Sequence, residues 1–276
     1  MEKSSIKTIL AGRGALPKKR FGQNFLCDRN ITEKMVKAAN LEPKDVVLEI
    51  GPGTGILTKE IAKKAKKVIA VELDRRMVAV LRDTVRLENV KIVETDILKF
   101  DEKSLPPAYK VVANLPFYLS APAIRKFLES ENQPQSLTLI LQKEVAQRIA
   151  AKPGKMSILA VSVQFYSHPL IVCSIPRSCF WPVPSVDSAI LKITPNKNKP
   201  EKNFSALFFK IVKAGFSQPR KQLVNNFSKN LFGPGNRRRE EIELWLKQSG
   251  IGPAQRAETL AVDQWISLAK TYSLIV

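Results

Sequence analysis

The stretch Val46-Val-Leu-Glu-Ile50-Gly51-Pro-Gly53-Thr-Gly55-Ile56 decides the fold of this chain. A short, mostly apolar run is followed by three alternating glycines. Such a run is typical of a buried parallel strand, and glycines at its end allow the backbone to turn sharply into a helix. We therefore expect a strand at 46–50, a tight turn, and a helix at 56–65.

The alternation of strands and helices continues downstream. Apolar runs predict four further strands, at 68–71, 90–93, 110–113 and 137–141. A helix is predicted at 77–87. This pattern predicts an α/β fold, a Rossmann-like sheet with helices on both faces. Longer strands, candidates for antiparallel pairing, are expected after the fifth, at 158–166, 170–174 and 186–193.

A polar, proline-bounded stretch at 195–200 predicts a domain boundary near Lys199. The sequence beyond it has helical spacing at 204–214, 221–229, 238–248 and 262–272. We expect a flexible basic arm at 1–20, an α/β domain at 21–198 and a small, all-helical C-terminal domain at 199–276.

The charge of the chain is strongly positive. Among 276 residues there are 45 Lys and Arg against 25 Asp and Glu, a net charge of +20. This balance favours a polyanion partner such as RNA, although a surface tuned for solubility is the alternative. The basic residues that we expect to contact RNA are Lys18, Lys19, Arg20, Arg220, Lys221, Arg237, Arg238 and Arg239.

Several classes of protein are disfavoured. An apolar run long enough to span a membrane is lacking, and no secretory signal is recognised, so we expect a cytoplasmic protein. The three cysteines are odd in number and not spaced as C-x-x-C, and there is one histidine. We therefore expect reduced cysteines and no metal site. We expect a monomer.

The glycine turn predicts a cofactor site. The third glycine of a dinucleotide fingerprint would fall at position 56, which is Ile, so the pattern resembles instead the turn of S-adenosylmethionine-dependent methyltransferases. Gly51 and Gly53 are its candidate cofactor residues. Glu72, at the end of the second strand, is placed to accept hydrogen bonds from ribose, and Asp96, after the third strand, from the adenine amine. The alternative roles are a tight turn without a ligand for the glycines, a surface salt bridge for Glu72 and a helix cap or turn for Asp96.

The segment Asn114-Leu-Pro-Phe117 predicts a site for a flat, amino-bearing base. An exocyclic adenine amine is a poor nucleophile, because its lone pair is delocalised into the ring. The Asn114 oxygen and the Leu115 carbonyl are candidate acceptors that would free this lone pair, and Phe117 offers a stacking face. Phe180 is the candidate for a second stacking ring, with Trp181 as the alternative.

Together these residues resemble the bacterial small-subunit ribosomal RNA adenine dimethyltransferases from about Lys19 to Ala269. The resemblance rests on Phe21-Gly-Gln-Asn-Phe-Leu26, 47–57, 71–74, Thr95-Asp-Ile97, 114–117, Gln142-Lys-Glu144, 180–188, 216–226 and Arg256-Ala-Glu-Thr-Leu260. It implies cofactor contacts by Asn24, Leu26, Ile97 and Asn114. Pro219 and Phe227 depart from the family pattern, and Phe117 replaces the commoner Tyr.

The resemblance implies transfer of two methyl groups to each of two adjacent adenines, in the 3′-terminal hairpin loop of 16S RNA within small-subunit particles. One alternative is the erythromycin-resistance type of enzyme, which acts on large-subunit RNA. A second is a non-catalytic RNA-binding or assembly factor, and a third is a DNA adenine methylase, whose usual motif has Pro-Pro rather than Leu-Pro.

Overall fold

The computed structural model describes residues 3–17, 22–232 and 236–272. The described chain divides into two compact units. The first comprises the residues up to Ala146 together with His168–Pro195, and the second comprises Gln147–Ser167 together with the residues from Asn196 onward. The second unit therefore includes a segment that the sequence assigned to the α/β domain.

A seven-stranded sheet forms the first unit, in the order β4-β3-β2-β5-β6-β9-β7. Its first five strands are mutually parallel, which confirms the predicted α/β sheet, and β9 runs antiparallel to β6. The strands are β2 (Val46–Ile50), β3 (Lys67–Glu72), β4 (Val90–Glu94), β5 (Lys110–Asn114), β6 (Ser136–Gln142), β7 (Ser167–Ile175) and β9 (Ser188–Pro195).

Helices precede, connect and follow the parallel strands. Aspartates cap two of them, since the Asp28 and Asp74 side chains accept hydrogen bonds from the first-turn amides of α2 and α4. The helices are α2 (Arg29–Ala39), α3 (Ile56–Ala62), α4 (Arg75–Thr84), α5 (Ser120–Glu129) and α6 (Lys143–Ile149). Each connection returns the chain so that the carboxyl ends of β2 to β5 lie along one edge of the sheet.

A two-stranded antiparallel ribbon brings distant segments of the sequence together. It consists of β1 (Phe25–Leu26) and β8 (Phe180–Trp181), with Phe25 opposite Trp181 and Leu26 opposite Phe180. The ribbon therefore joins the segment before the first parallel strand to the proline-rich segment before β9.

The N-terminal segment differs from the expected flexible arm. Residues Lys3–Ala11 form helix α1, and Ile6, Leu10 and Ala15 are fully buried in a cluster with Phe25 and other residues. Because Ile6 and Leu10 stand four residues apart, they lie on one face of the helix. Burial of this apolar face holds the helix against the first unit despite the basic residues around it. The prediction of a flexible arm is therefore wrong for residues 3–15.

The second unit corrects another prediction, because residues Ile158–Tyr166 form helix α7 rather than a strand. The segment is apolar on nearly every side, so its periodicity alone does not separate a buried helix from a strand. The Ser157 side chain caps the helix by accepting from the Ala160 amide. Phe165 then stacks on Phe208, with 3.9 Å between ring centroids.

The remaining helices of the second unit surround an aromatic core. Phe227 is fully buried beside Trp245, at 5.0 Å, so this departure from the family pattern is a packing residue. Pro219 is exposed. The elements are α8 (Lys202–Gly215), α9 (Leu223–Phe227), a π-helical turn (Ser228–Phe232), α10 (Asn236–Gln248) and α11 (Val262–Tyr272). None of the helices in the described ranges has the length and apolar character needed to cross a membrane.

Candidate active site

A cleft opens at the carboxyl ends of the parallel strands, within the first unit. Residues from the turns after β2, β3, β4 and β5 and from the β1–β8 ribbon line it. The lining residues include Gln23, Asn24, Gly51, Gly53, Glu72, Asp74, Asp96, Ile97, Asn114, Leu115, Phe117, Tyr118, Phe180, Pro184 and Ser188. Ligands of open α/β sheets bind at this edge.

The glycine turn leaves room at the floor of the cleft. Gly51 has a φ of +64°, and a Cβ built on it would meet no atom within 4 Å, so the backbone there faces open space. Its amide donates to the Val71 carbonyl at 2.9 Å, which ties the turn to β3. A side chain at this position would strain the backbone and enter the cleft.

Glu72 is held rigidly at the end of β3. The amides of Leu73 and Asp74 both donate to its Oε1 at 2.9 Å. Burial raises the pKa of Glu72 above its ordinary value, and hydrogen bonds from the backbone, including Gly53, oppose that rise. This carboxyl group is therefore fixed in orientation beside the glycine turn.

A polar network centred on Asp74 lies next to Glu72. Arg76 donates to both carboxylate oxygens of Asp74, at 3.0 and 2.5 Å, and Gln23 donates to Asp74 at 3.3 Å. Burial by itself raises the pKa of Asp74, but the Arg76 guanidinium brings it below the ordinary value. Arg76 also donates to the Leu16 carbonyl at 3.3 Å, so the N-terminal segment is tied to this edge.

Glu49 lies fully buried in β2, directly before the glycine turn. Burial raises its pKa to about 8, and the negative charge of Glu72 adds to the effect, whereas the Thr58 hydroxyl opposes it. Within the described ranges, no group hydrogen-bonds to its Oε2. Burial thus favours the protonated form of Glu49 in the folded protein.

The turn after β4 contributes a second acceptor. Asp96 accepts a hydrogen bond from the Leu98 amide through Oδ1 at 2.9 Å, which leaves its other oxygen beside the cleft. Ile97 is buried next to it and provides an apolar surface. An acidic group beside an apolar wall suits an aromatic ring that bears an amine.

Asn114 ends β5, next to β2 in the sheet. Its Nδ2 donates to the Asn24 carbonyl oxygen at 2.9 Å. The amide nitrogen is thereby used within the protein, and no group in the described part of the chain hydrogen-bonds to Oδ1. The oxygen is available to accept from a ligand in the cleft.

Of the aromatic candidates, Phe117 lies in the cleft, Phe180 borders it from the core, and Trp181 does not line it. Phe117 begins a 3₁₀ turn (Phe117–Leu119) after Pro116, and Phe180 is 1% exposed with its ring in the core beside the cleft. Trp181 packs with the α1 cluster, where Lys7 lies 5.7 Å from its ring centroid, and does not line the cleft. Phe180 is therefore the better placed of the two rings.

Most predicted cofactor and base residues meet in this one cleft. The exception is Leu26, whose side chain packs in the core beneath it. Among the predicted RNA contacts, Arg220 and Lys221 are exposed, and Arg239 is exposed but paired with Glu243 at 3.1 Å. Lys18, Lys19 and Arg20 lie outside the described residues, as does Phe21, and the side chains of Arg237 and Arg238 are also not described.

Sequence reasoning missed several lining residues, of which Gln23, Asp74, Tyr118 and Ser188 matter most. Each stands in or next to a quoted motif, and that proximity was the available signal. Tyr118 is 57% exposed at the mouth of the cleft. The three cysteines form no disulfide, and no group of three or more His, Cys, Asp or Glu in the described ranges is arranged to hold a metal ion.

The strand order, the glycine turn and the strand-end carboxylates define a class I methyltransferase. A solved dimethyladenosine transferase from Plasmodium falciparum matches with a TM-score of 0.78 and 28% identity, over 88% of this chain and 95% of that one. The 23S rRNA methyltransferase ErmE matches with a TM-score of 0.72 and 25% identity, over 91% and 100%.

The sequence comparisons are more specific. A protein of Dehalococcoides mccartyi named "Ribosomal RNA small subunit methyltransferase A" is 39% identical to this chain, over 98% of it and 93% of the relative. The family model described as ribosomal RNA adenine dimethylase matches residues 15–274. This chain belongs to the ribosomal RNA adenine dimethylase family.

Proposed function

We propose that this protein dimethylates the N6 amines of two adjacent adenines in the 3′-terminal hairpin loop of 16S RNA, using S-adenosylmethionine, in small-subunit particles. The observation that carries the proposal is the Asn114 amide, whose nitrogen is fixed by Asn24 and whose oxygen is left for the cleft. The name of the Dehalococcoides relative supports the small subunit as the target.

The cleft fits S-adenosylmethionine, which supplies an activated methyl group on a sulfonium. The space at Gly51 accepts the ligand next to the backbone, and the buried carboxyl group of Glu72 suits the ribose hydroxyls. Asp96 and Ile97 suit the adenine of the cofactor. Asn24 and the backbone at Leu26 complete the cofactor-binding residues that the family resemblance implies.

The residues of the base site orient the target amine. Acceptance of its N–H groups by the Asn114 Oδ1 and the Leu115 carbonyl favours a tetrahedral nitrogen with a free lone pair. Phe117 and Phe180 hold the flipped base by stacking. Catalysis is thus a matter of positioning and electrostatics.

No dedicated base is needed for this reaction, because the nitrogen loses its proton after the methyl group has been transferred. Histidine and lysine are absent among the described residues that line the cleft. The proton passes to water, and Asn114 remains neutral throughout.

Basic residues outside the cleft dock the RNA. The excess of positive charge and the exposed Arg220 and Lys221 in the helical unit support binding to phosphates. We assign RNA docking to this unit and to the basic residues at 18–20 and 237–239. The protein acts as a monomer in the cytoplasm, where ribosomal subunits assemble.

The proposal is tested with methyl-labelled S-adenosylmethionine and three substrates: undermethylated 30S particles, 50S particles and a DNA duplex. Dimethyladenosine in the 30S RNA alone is the expected result. Label in 50S RNA would assign the protein to the resistance-type activity, and binding of 30S particles without any label would indicate an assembly factor. Label in the DNA duplex would overturn the proposal in favour of a DNA methylase.

A further inference from the structure

Ser188 is a buried hydroxyl that lines the cleft and has no role in the mechanism above. It begins β9, is 2% exposed, and lies opposite Gln142 of β6. No residue in the described ranges hydrogen-bonds to its Oγ. The Oγ is not among the fully buried side-chain atoms that lack a partner in the described ranges, so it keeps access to the cleft, where a hydroxyl without a protein partner can donate to a ligand.

Ser188 and Asn114 both line the cleft and lie on strands two positions apart in the sheet. Asn114 pairs with Ile140 of β6, and Ile140 pairs with Ile190 of β9, so β6 separates the two residues. Neighbouring strands are about 4.8 Å apart, which puts the strands of Asn114 and Ser188 roughly 10 Å apart. Phe180 and Pro184, from the segment that leads to Ser188, also line the cleft. A base whose amine meets Asn114 therefore extends toward Ser188.

The hydrogen bonds that hold the loop here are made by the preceding residue, Asp187. The Asp187 carboxylate accepts from the Arg177 amide at 3.0 Å, and its carbonyl accepts from the Lys143 amide at 2.9 Å. These bonds close the loop between β8 and β9. The hydroxyl of Ser188 is not needed for loop closure, which leaves it for the occupant of the cleft.

We propose that Ser188 is a positioning residue whose hydroxyl donates a hydrogen bond to a ring nitrogen of the adenine being methylated. This inference rests on the proposed function, because it requires an adenine in the cleft. Adenine carries acceptor nitrogens on both sides of its amine-bearing carbon, at N1 and N7. A donor on one of them fixes the rotation of the base in its plane, so that the amine stays against Asn114.

The test compares Ser188→Ala and Ser188→Thr with Ser185→Ala, a matched change at an exposed serine of the same loop. Loss of one hydrogen bond is expected to lower kcat/KM for undermethylated 30S particles about 3- to 20-fold in Ser188→Ala. Ser188→Thr, which keeps the hydroxyl, should recover most of that loss. The Kd for S-adenosylhomocysteine should stay within twofold in all three variants.

A second readout separates a contact to the base from a structural effect. Particles are reconstituted with 1-deazaadenosine or 7-deazaadenosine at the target positions. Wild type and Ser188→Ala should become equal on one of the two analogues, which identifies the nitrogen. An equal penalty on adenosine and both analogues, or weakened cofactor binding, would overturn the inference.

The two proposals fail in different ways. If wild type places no dimethyladenosine in 30S RNA, the proposed function fails, and Ser188 loses its role with it. If wild type is active and Ser188→Ala matches Ser185→Ala within twofold, the inference about Ser188 alone is overturned.

Discussion

The amide nitrogen of Asn114 donates to the backbone carbonyl of Asn24 across 2.9 Å, which joins the end of β5 to the residue just before β1. The two residues are separated by 90 positions in the chain. This hydrogen bond decides which end of the Asn114 side chain faces a ligand. It also makes the orientation of the base site depend on the segment that resembles the entry motif of the family.

Replacement of Asn114 should abolish methylation without loss of RNA binding. Asn114→Ala removes the acceptor, and Asn114→Asp places a carboxylate oxygen against the Asn24 carbonyl, where two acceptors repel each other. We expect kcat to fall at least about 100-fold in both variants. Single-turnover labelling of 30S particles measures this, with Asn30→Ala as an exposed control. Near-normal activity in Asn114→Ala would remove Asn114 from the mechanism.

Glu72 should matter for the cofactor and hardly for the RNA. Its carboxyl group is fixed by two backbone amides, so Glu72→Ala removes an acceptor that is already oriented. We expect the Kd for S-adenosylhomocysteine to rise about 10- to 100-fold by calorimetry. Glu94→Ala is the matched control, because Glu94 pairs with Glu72 in the neighbouring strand and is exposed. An unchanged Kd in Glu72→Ala would argue against a ribose contact.

The ring of Phe117 should be required, but its exact identity should not. Stacking on a base contributes about 1–3 kcal/mol, so Phe117→Ala should lower kcat/KM for 30S particles by roughly 5- to 150-fold. Phe117→Tyr keeps the ring and should remain within about threefold of wild type. If Phe117→Ala and Phe117→Tyr behave alike, the residue does not stack on the substrate.

Glu49 makes the stability of the protein dependent on pH. Its pKa rises from 4.5 to about 8 on folding, so between these values the unfolded chain has lost a proton that the folded chain retains. Stability therefore falls as pH rises from about 4.5 to about 8 and levels off above. Glu49→Gln should remove this dependence, on the order of a few kcal/mol.

The measurement is the Tm of wild type and Glu49→Gln at pH 5 and pH 8, with Glu88→Gln as an exposed control. The Tm of Glu49→Gln minus the Tm of wild type should increase by several degrees from pH 5 to pH 8. A Tm difference between variant and wild type that is the same at both pH values would mean that Glu49 is ionised in the folded protein.

Charge reversal in the helical unit should weaken particle binding. Arg220→Glu with Lys221→Glu removes two exposed cations and should raise the Kd for 30S particles and flatten its dependence on salt. The exposed Lys247→Glu serves as the control. If affinity and salt slope both match the control, these residues are a solvated surface without contact to RNA.

The sequence predicted the parallel sheet well, because five short apolar runs ended in glycines or polar residues at regular intervals. It failed at Ile158–Tyr166, where a run of apolar and β-branched residues fits a strand as well as a buried helix, and burial in the second unit decides between them. It also failed at α1, where two apolar residues among many cations were enough to dock a helix.

The site was predictable where a motif carried both chemistry and position, as with Glu72 and Asn114. The hydrogen bond from Asn114 to Asn24 was not, because it joins segments 90 positions apart whose proximity depends on the β1–β8 ribbon. Ser188 ends the quoted segment 180–188, but its place at the lining of the cleft emerges only once β9 is paired with β6.

The most direct test of the account is mass spectrometry of the 3′-terminal fragment of 16S RNA, after undermethylated 30S particles have reacted with wild-type protein or with Asn114→Ala. Wild type should place two methyl groups on each of two adjacent adenines in the hairpin loop, and the variant should bind particles but add none. Methylation at another nucleotide, or the same adenines dimethylated by Asn114→Ala, would contradict it.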